Sequence, residues 1–184
     1  MANLFQLEAA VYAVLRDSGK TFVLSTEVVE WLNEAQLEIV LRTGCLRKSA
    51  SGTTSPDGEI TLPSDFMRVS SFWVATDVPG VNDAPLNTRD EIFLSHRNND
   101  TSPDTTLYRI FGSTLQTYPY VEEMAYDLEY IYRPTPMSAS GDVPAIPEEY
   151  HTKLKNYARA QAKWKEGEDS EGDRYLALYL EGLP

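Results

Sequence analysis

A chain of 184 residues with 42% hydrophobic and 24% charged content is long enough for one sizeable domain or two small ones. Its net charge of −12, from 28 acidic and 16 basic residues, disfavours sequence-reading binding to duplex DNA, which also carries negative charge. A single cysteine, Cys45, excludes an internal disulfide. The N-terminus lacks a basic and apolar leader pattern, and nothing approaches the roughly 20 apolar residues of a membrane span. These features predict a soluble protein that stays where it is made or joins an assembly there.

Leu4, Leu7, Val11, Val14 and Leu15 have helical spacing, predicting a helix over 3–17 that stops near Ser18-Gly19. Ser25-Thr26-Glu27 reads as a cap and first-turn acid, opening a second helix that ends at Thr43-Gly44. Its buried line is Val28, Leu32, Ala35 and Ile39, and its acidic line is Glu27, Glu30, Glu34 and Glu38. The stretch 48–58 is polar, glycine-bearing and rich in turn formers, and reads as a long mobile loop.

Extended segments are predicted at Glu59–Leu62 and Met67–Ala75, and a small helix from Thr88 through Leu94 with capping-box spacing. Ser95 to Asp104 is a second polar loop. Leu107–Phe111 and Thr114–Tyr118 flank Gly112-Ser113 as a hairpin, and Ala125–Tyr132, with its alternating Tyr126, Leu128, Tyr130 and Tyr132, is expected beside it. After Pro134, Pro136 and a linker to Pro144, the Pro147-Glu-Glu-Tyr150 stretch opens a helix running to Trp164. Tyr150, Leu154, Tyr157, Gln161 and Trp164 share one face, and Lys155, Arg159 and Lys163 lie almost opposite. An acidic break at Glu166–Asp173 precedes a last helix, Arg174–Leu183, that is apolar nearly all round.

The expected fold class is α+β: a helical bundle built from the N- and C-terminal helices (1–46 and 137–184), with an inserted antiparallel β-rich module (47–136) carrying mobile loops.

Chemistry is hard to place on this chain. The glutamates form a regular surface row, whereas catalytic pairs face each other across a cleft. His96 and His151 stand in no ligand-spaced cluster, no glycine pattern cradles phosphate, and no serine or cysteine sits in a nucleophile elbow. No enzyme activity, metal or cofactor is expected. Two features look like binding. Glu30, Glu34 and Glu38 could meet Lys155, Arg159 and Lys163 of a neighbouring copy, fixing register; the bland alternative makes each row a solubilising face. The last helix, through Tyr175, Leu178, Tyr179 and Leu183, either docks internally or anchors a partner.

In order along the chain stand Glu30-Trp-Leu-Asn-Glu-Ala-Gln-Leu-Glu-Ile39, Leu62-Pro-Ser-Asp-Phe66, Leu107-Tyr-Arg-Ile-Phe-Gly112, a tyrosine-rich strand through Tyr132-Arg-Pro134, and Val143-Pro-Ala-Ile-Pro-Glu-Glu-Tyr150 with Tyr157-Ala-Arg-Ala-Gln-Ala162. This combination resembles tailed-bacteriophage head-tail adaptor (connector) proteins, over roughly residues 25–180. The resemblance implies a structural virion protein at the head-tail interface, assembled in the host cytoplasm. It implies a dodecameric homo-oligomer on the portal protein that receives a tail or nozzle protein, with DNA passing through the lumen and no membrane partner. Whether the chain is a monomer before docking stays open. The last helix, through the four residues named above, would then grip the portal. A second reading makes the β region a carbohydrate- or cell-surface-binding module, offering Tyr118, Tyr120 and Tyr132.

Overall fold

A computed structural model describes residues 2–15, 21–74, 107–118 and 123–184. It shows a mixed α+β protein with four α-helices and two small antiparallel sheets among the described residues. The chain divides into two compact units, one formed by Met1–Leu46 with Arg133–Pro184 and the other by Arg47–Tyr132.

In the first unit, helix α1 spans Leu4–Tyr12, shorter than the apolar spacing predicts. Asn3 and Gln6 close a capping box at its start. Its end tightens, because Val14 and Leu15 bond back only three residues, to Val11 and Tyr12. The expected stop at Ser18-Gly19 lies outside the described residues. Helix α2 spans Ser25–Thr43, and its cap is Leu24, whose backbone N–H donates to the Glu27 carboxylate at 3.0 Å. Ser25, expected as the cap, is already helical. Gly44 ends the helix with φ of 62°, a left-handed conformation that glycine adopts without a Cβ clash. Val28, Leu32, Ala35 and Ile39 are fully buried, as their spacing predicts. Each of the three larger ones stabilises the unit by about 1.5–3 kcal/mol.

A 3₁₀ turn at Glu148–Tyr150 leads into helix α3, His151–Lys165, and helix α4 follows at Asp169–Leu180. Pro147 therefore precedes the 3₁₀ turn instead of opening the α-helix. The expected acidic break shrinks to Glu166–Glu168, because Asp169 and Glu171 fall in the first turn of α4, where the helix dipole favours negative charge. Helix α3 packs against α1, α2 and α4.

Residues 133–147 have no regular structure, yet α2 holds them. Asn33 accepts from the Met137 N–H at 2.8 Å and donates to the Met137 carbonyl at 3.0 Å. Buried Gln36 accepts from the Ala145 N–H at 2.7 Å and reaches the Thr135 carbonyl at 3.4 Å. Asp142 accepts from the Ser138 and Ala139 N–H groups, and these two bonds lower its carboxyl pKa. The same turn caps α1: the Leu4 and Phe5 N–H groups donate to the carbonyls of Asp142 and Ser140. At the far end the His151 imidazole Nε2 meets the Ile146 carbonyl at 3.1 Å. This segment is a strap along α2.

In the second unit, strand β1 (Arg47–Thr53) pairs with β6 (Ala125–Tyr132), and β6 pairs on its other edge with β3 (Phe66–Val74). The second sheet runs β2 (Glu59–Thr61), β5 (Thr114–Tyr118), β4 (Leu107–Phe111). Gly112-Ser113 joins β4 and β5 as predicted, with Phe111 opposite Thr114. Two expectations are corrected. The stretch read as a mobile loop begins as β1, whose polar, exposed side chains suit a sheet edge while its backbone pairs with β6. And β6 is not the hairpin's neighbour, because both its edges are taken by β1 and β3; it meets the hairpin's sheet across the core. That core joins Ile60, Leu62, Tyr108 and Leu115 to Phe72, Val74, Leu128 and Tyr130. Gly52 faces Tyr126 in register, and a Cβ there would come within 3.0 Å of the phenol oxygen. The helix expected from Thr88 and the loop from Ser95 lie outside the described residues.

The Asn33 contact is testable. Asn33→Ala removes both bonds to Met137 and is expected to cost about 1–3 kcal/mol, read from the urea midpoint at unchanged slope.

Candidate functional site

The acidic row of α2 is largely used within its own unit. Glu27 accepts from the Lys165 ammonium at 2.6 and 2.7 Å, and this contact, helped by the Leu24 N–H, holds its carboxyl below the ordinary range. Glu38 pairs with Arg42 at 2.7 Å, one turn on. Glu34 is exposed and, among the described residues, meets only the Tyr157 hydroxyl, at 3.5 Å. Glu30 is exposed and has no partner among the described residues.

The basic row of α3 is not an open face. Arg159 donates twice to the Ala10 carbonyl, at 3.1 and 2.9 Å, and its guanidinium lies 5.7 Å from the Tyr175 ring centre. Lys163 is 3% exposed and sits between Glu166 at 3.0 Å and Glu171 at 3.1 Å. Burial alone would lower the Lys163 pKa, but the bonds to the two carboxylates outweigh it and raise the value. Half-buried Lys155 has no such tie among the described residues. Helix α3 is buried on both flanks, through Leu154, Ala158 and Ala162 on one and Asn156, Ala160 and Lys163 on the other. The alanines let neighbouring helices come close, so the face opposite the aromatic line is covered too. The structure does not bring the two rows of one copy together as rows.

Helix α4 is apolar on two sides, of which one is covered. Tyr179 is fully buried with its ring 5.1 Å from Tyr157, and burial, with the nearby Glu38 carboxylate second, pushes its phenol pKa upward. Tyr175 is half-buried under Arg159. Gly172 leaves room for Trp164, which otherwise would meet a Cβ at 2.3 Å. Lys153 donates to the carbonyls of Tyr179 and Glu181, securing the helix end. On the open side Leu178 is 40% exposed and Arg174 is exposed without a partner among the described residues. Leu180 is 39% exposed and Leu183 half-buried.

A groove between α2 and the strap has a volume of about 310 Å³. Glu30, Glu34 and Leu37 line it from α2, and Arg133, Pro134 and Pro136 from the strap, with Asn33 and Gln36 at its base. The two amides are occupied by strap backbone, so what remains open is apolar with charged rims. An apolar groove with charged rims is the kind of surface that a partner's side chain can enter. The sequence carries only a faint signal for it, two alternating prolines after a strand and two amides three apart on a helix.

In the second unit, Tyr132 is covered by the Lys48 ammonium, 4.1 Å from its ring centre, and Lys48 is in turn held by Asp65 at 2.6 Å. That Lys48 bond comes first in lowering the Asp65 carboxyl pKa, and the Tyr130 hydroxyl adds to it at 3.1 Å. Tyr118 ends β5, and Tyr120 and His96 lie outside the described residues. Phe111, 67% exposed, stands at the hairpin tip. Among the described residues no cluster of three His, Cys, Asp or Glu side chains is placed to hold a metal ion, and no helix is long and apolar enough to cross a membrane.

The family model described as SU10 adaptor protein matches residues 2–184. No curated protein matches the chain.

Lys163→Ala would remove a buried cation held between two carboxylates, Glu166 and Glu171, at an expected cost of about 3 kcal/mol. Because the folded-state pKa of Lys163 is raised, its contribution is complete below the unfolded value of 10.5 and is lost as pH rises through the folded value. The stability gap between the native chain and K163A should therefore be flat across neutral pH and narrow only in strong alkali, as measured by thermal melts.

Proposed function

The chain belongs to the SU10 adaptor protein family, a phage head-tail adaptor family, and on that premise we propose that it is a structural virion protein that forms a ring between portal and tail. The match across residues 2–184 carries this reading. In it, helices from both chain ends form a bundle that builds the wall of a dodecameric ring, assembled in the host cytoplasm. The exposed acids Glu30 and Glu34 belong to the joint between copies. The end of α4 and the residues after it, with Leu180 and Leu183, meet the portal; Tyr175 and Tyr179 back that contact from inside the subunit. The second unit faces outward or towards the tail.

Electrostatics support passage of DNA through such a ring. A chain of net charge −12 offers no net release of counterions from duplex DNA, so the genome would slide without being held. The same surplus of acid makes joints between copies depend on where cations are placed.

Native mass measurements on the purified chain, alone and with purified portal rings, test this. The expected result is a dodecamer on the portal, with association weakening between about 0.05 and about 0.5 M salt. A chain that stays monomeric beside portal rings at every ionic strength would remove the ring reading.

A further inference from the structure

The groove along α2 has charged ends of opposite sign. Asn33 bonds Met137 and Gln36 reaches Thr135, so the strap runs antiparallel to α2. Arg133 therefore lies towards the C-terminal end of the groove, and Glu30 and Glu34 towards its N-terminal end. Leu37 and the two prolines lie between. Read along α2, the order is acid, apolar, base.

The open face of α4 carries the reverse order. At about 100° per residue, Arg174, Leu178 and Glu181 fall within one narrow sector on the side away from buried Gly172 and Tyr179. All three are exposed, and neither Arg174 nor Glu181 has a side-chain partner among the described residues. From Arg174 to Leu178 is four residues, about 6 Å of rise at 1.5 Å each, between the spans from Leu37 back to Glu34 (about 4.5 Å) and back to Glu30 (about 10 Å). Leu178 and Leu180, two positions apart, point about 160° away from each other, so a neighbour can take one and leave the other free.

We propose that the outer face of α4 of one copy seats in the α2–strap groove of the next. Arg174 meets Glu30 and Glu34, Leu178 enters the apolar floor beside Leu37, and Glu181 meets Arg133. The two surfaces are different patches of one chain, so the contact is head-to-tail, and a head-to-tail contact propagates until it closes. This rests on the ring reading and names its joint. It replaces α3 as the basic side, because Arg159 and Lys163 are already engaged within their own copy.

The test uses the full chain with Cys45→Ser. One protein carries Leu37→Cys in the groove and a second Leu178→Cys on α4; each is oxidised alone and then mixed under ring-forming conditions. The expected outcome is a mixed disulfide dimer in about fivefold excess over either homodimer, because a head-to-tail contact never sets like patches face to face. In parallel, Arg174→Glu and Glu34→Arg should each weaken association about tenfold, and the double variant should recover most of it. Thermal melts confirm that each variant folds. If rings of native mass form with R174E as readily as without it, or if the mixed dimer is no more abundant than the homodimers, the joint is overturned while the ring stands. If the native chain never associates, even on the portal, both readings fall together.

Discussion

Two side-chain amides, Asn33 and Gln36, hold the first unit in its observed form. The strap between β6 and α3 carries backbone N–H and C=O groups that no helix or sheet can satisfy, and unpaired buried backbone is costly. Asn33 supplies a donor and an acceptor to the same residue, Met137, imitating a strand partner. Gln36 does the same across Thr135 and Ala145. With the strap held, its 138–142 turn caps α1 and its Ile146 carbonyl receives His151 at the start of α3. Three helices thus take their relative positions from hydrogen bonds to a segment that has no regular structure of its own. The groove is a by-product of the same arrangement, since the amides draw the prolines against α2 without filling the space beside Leu37.

Helix α3 shows how charge is handled once helices crowd round it. Its cations do not face water as a row: one caps a carbonyl of α1, another is enclosed by two carboxylates at the turn into α4. A buried ion pair of that kind fixes geometry more reliably than it adds stability. The charges left unengaged among those described in the first unit, Glu30, Arg133 and Arg174 among them, stand on surfaces that no neighbouring helix covers.

Much of this was legible in the residues, and the gaps have physical causes. The buried line of α2 was readable because four apolar positions at helical spacing admit one solution, and Gly44 was readable because few residues tolerate positive φ. The hairpin followed from Gly112-Ser113 between two β-branched and aromatic runs. The second covered flank of α3 was not readable: alanine, asparagine and lysine look like a surface until a partner comes close, and the partner of Arg159 lies at Ala10. Strand β1 was missed because an edge strand needs no apolar pattern. The strap read as linker because its order comes from α2, far away in sequence. Of the candidate interface residues, spacing correctly placed the acids on one helix line, but it could not say which were already paired.

The pairing of Gly52 with Tyr126 has a consequence for how the chain behaves at high concentration. Among the described residues strand β1 ends its sheet, and with an aromatic ring laid over its glycine that margin carries serine, threonine and lysine side chains. Such an edge is a poor template for a strand from another molecule, so crowding does not push this chain towards fibrous, sheet-to-sheet growth from that side. A margin of that kind stays inert at high concentration while the strand behind it keeps its own pairing.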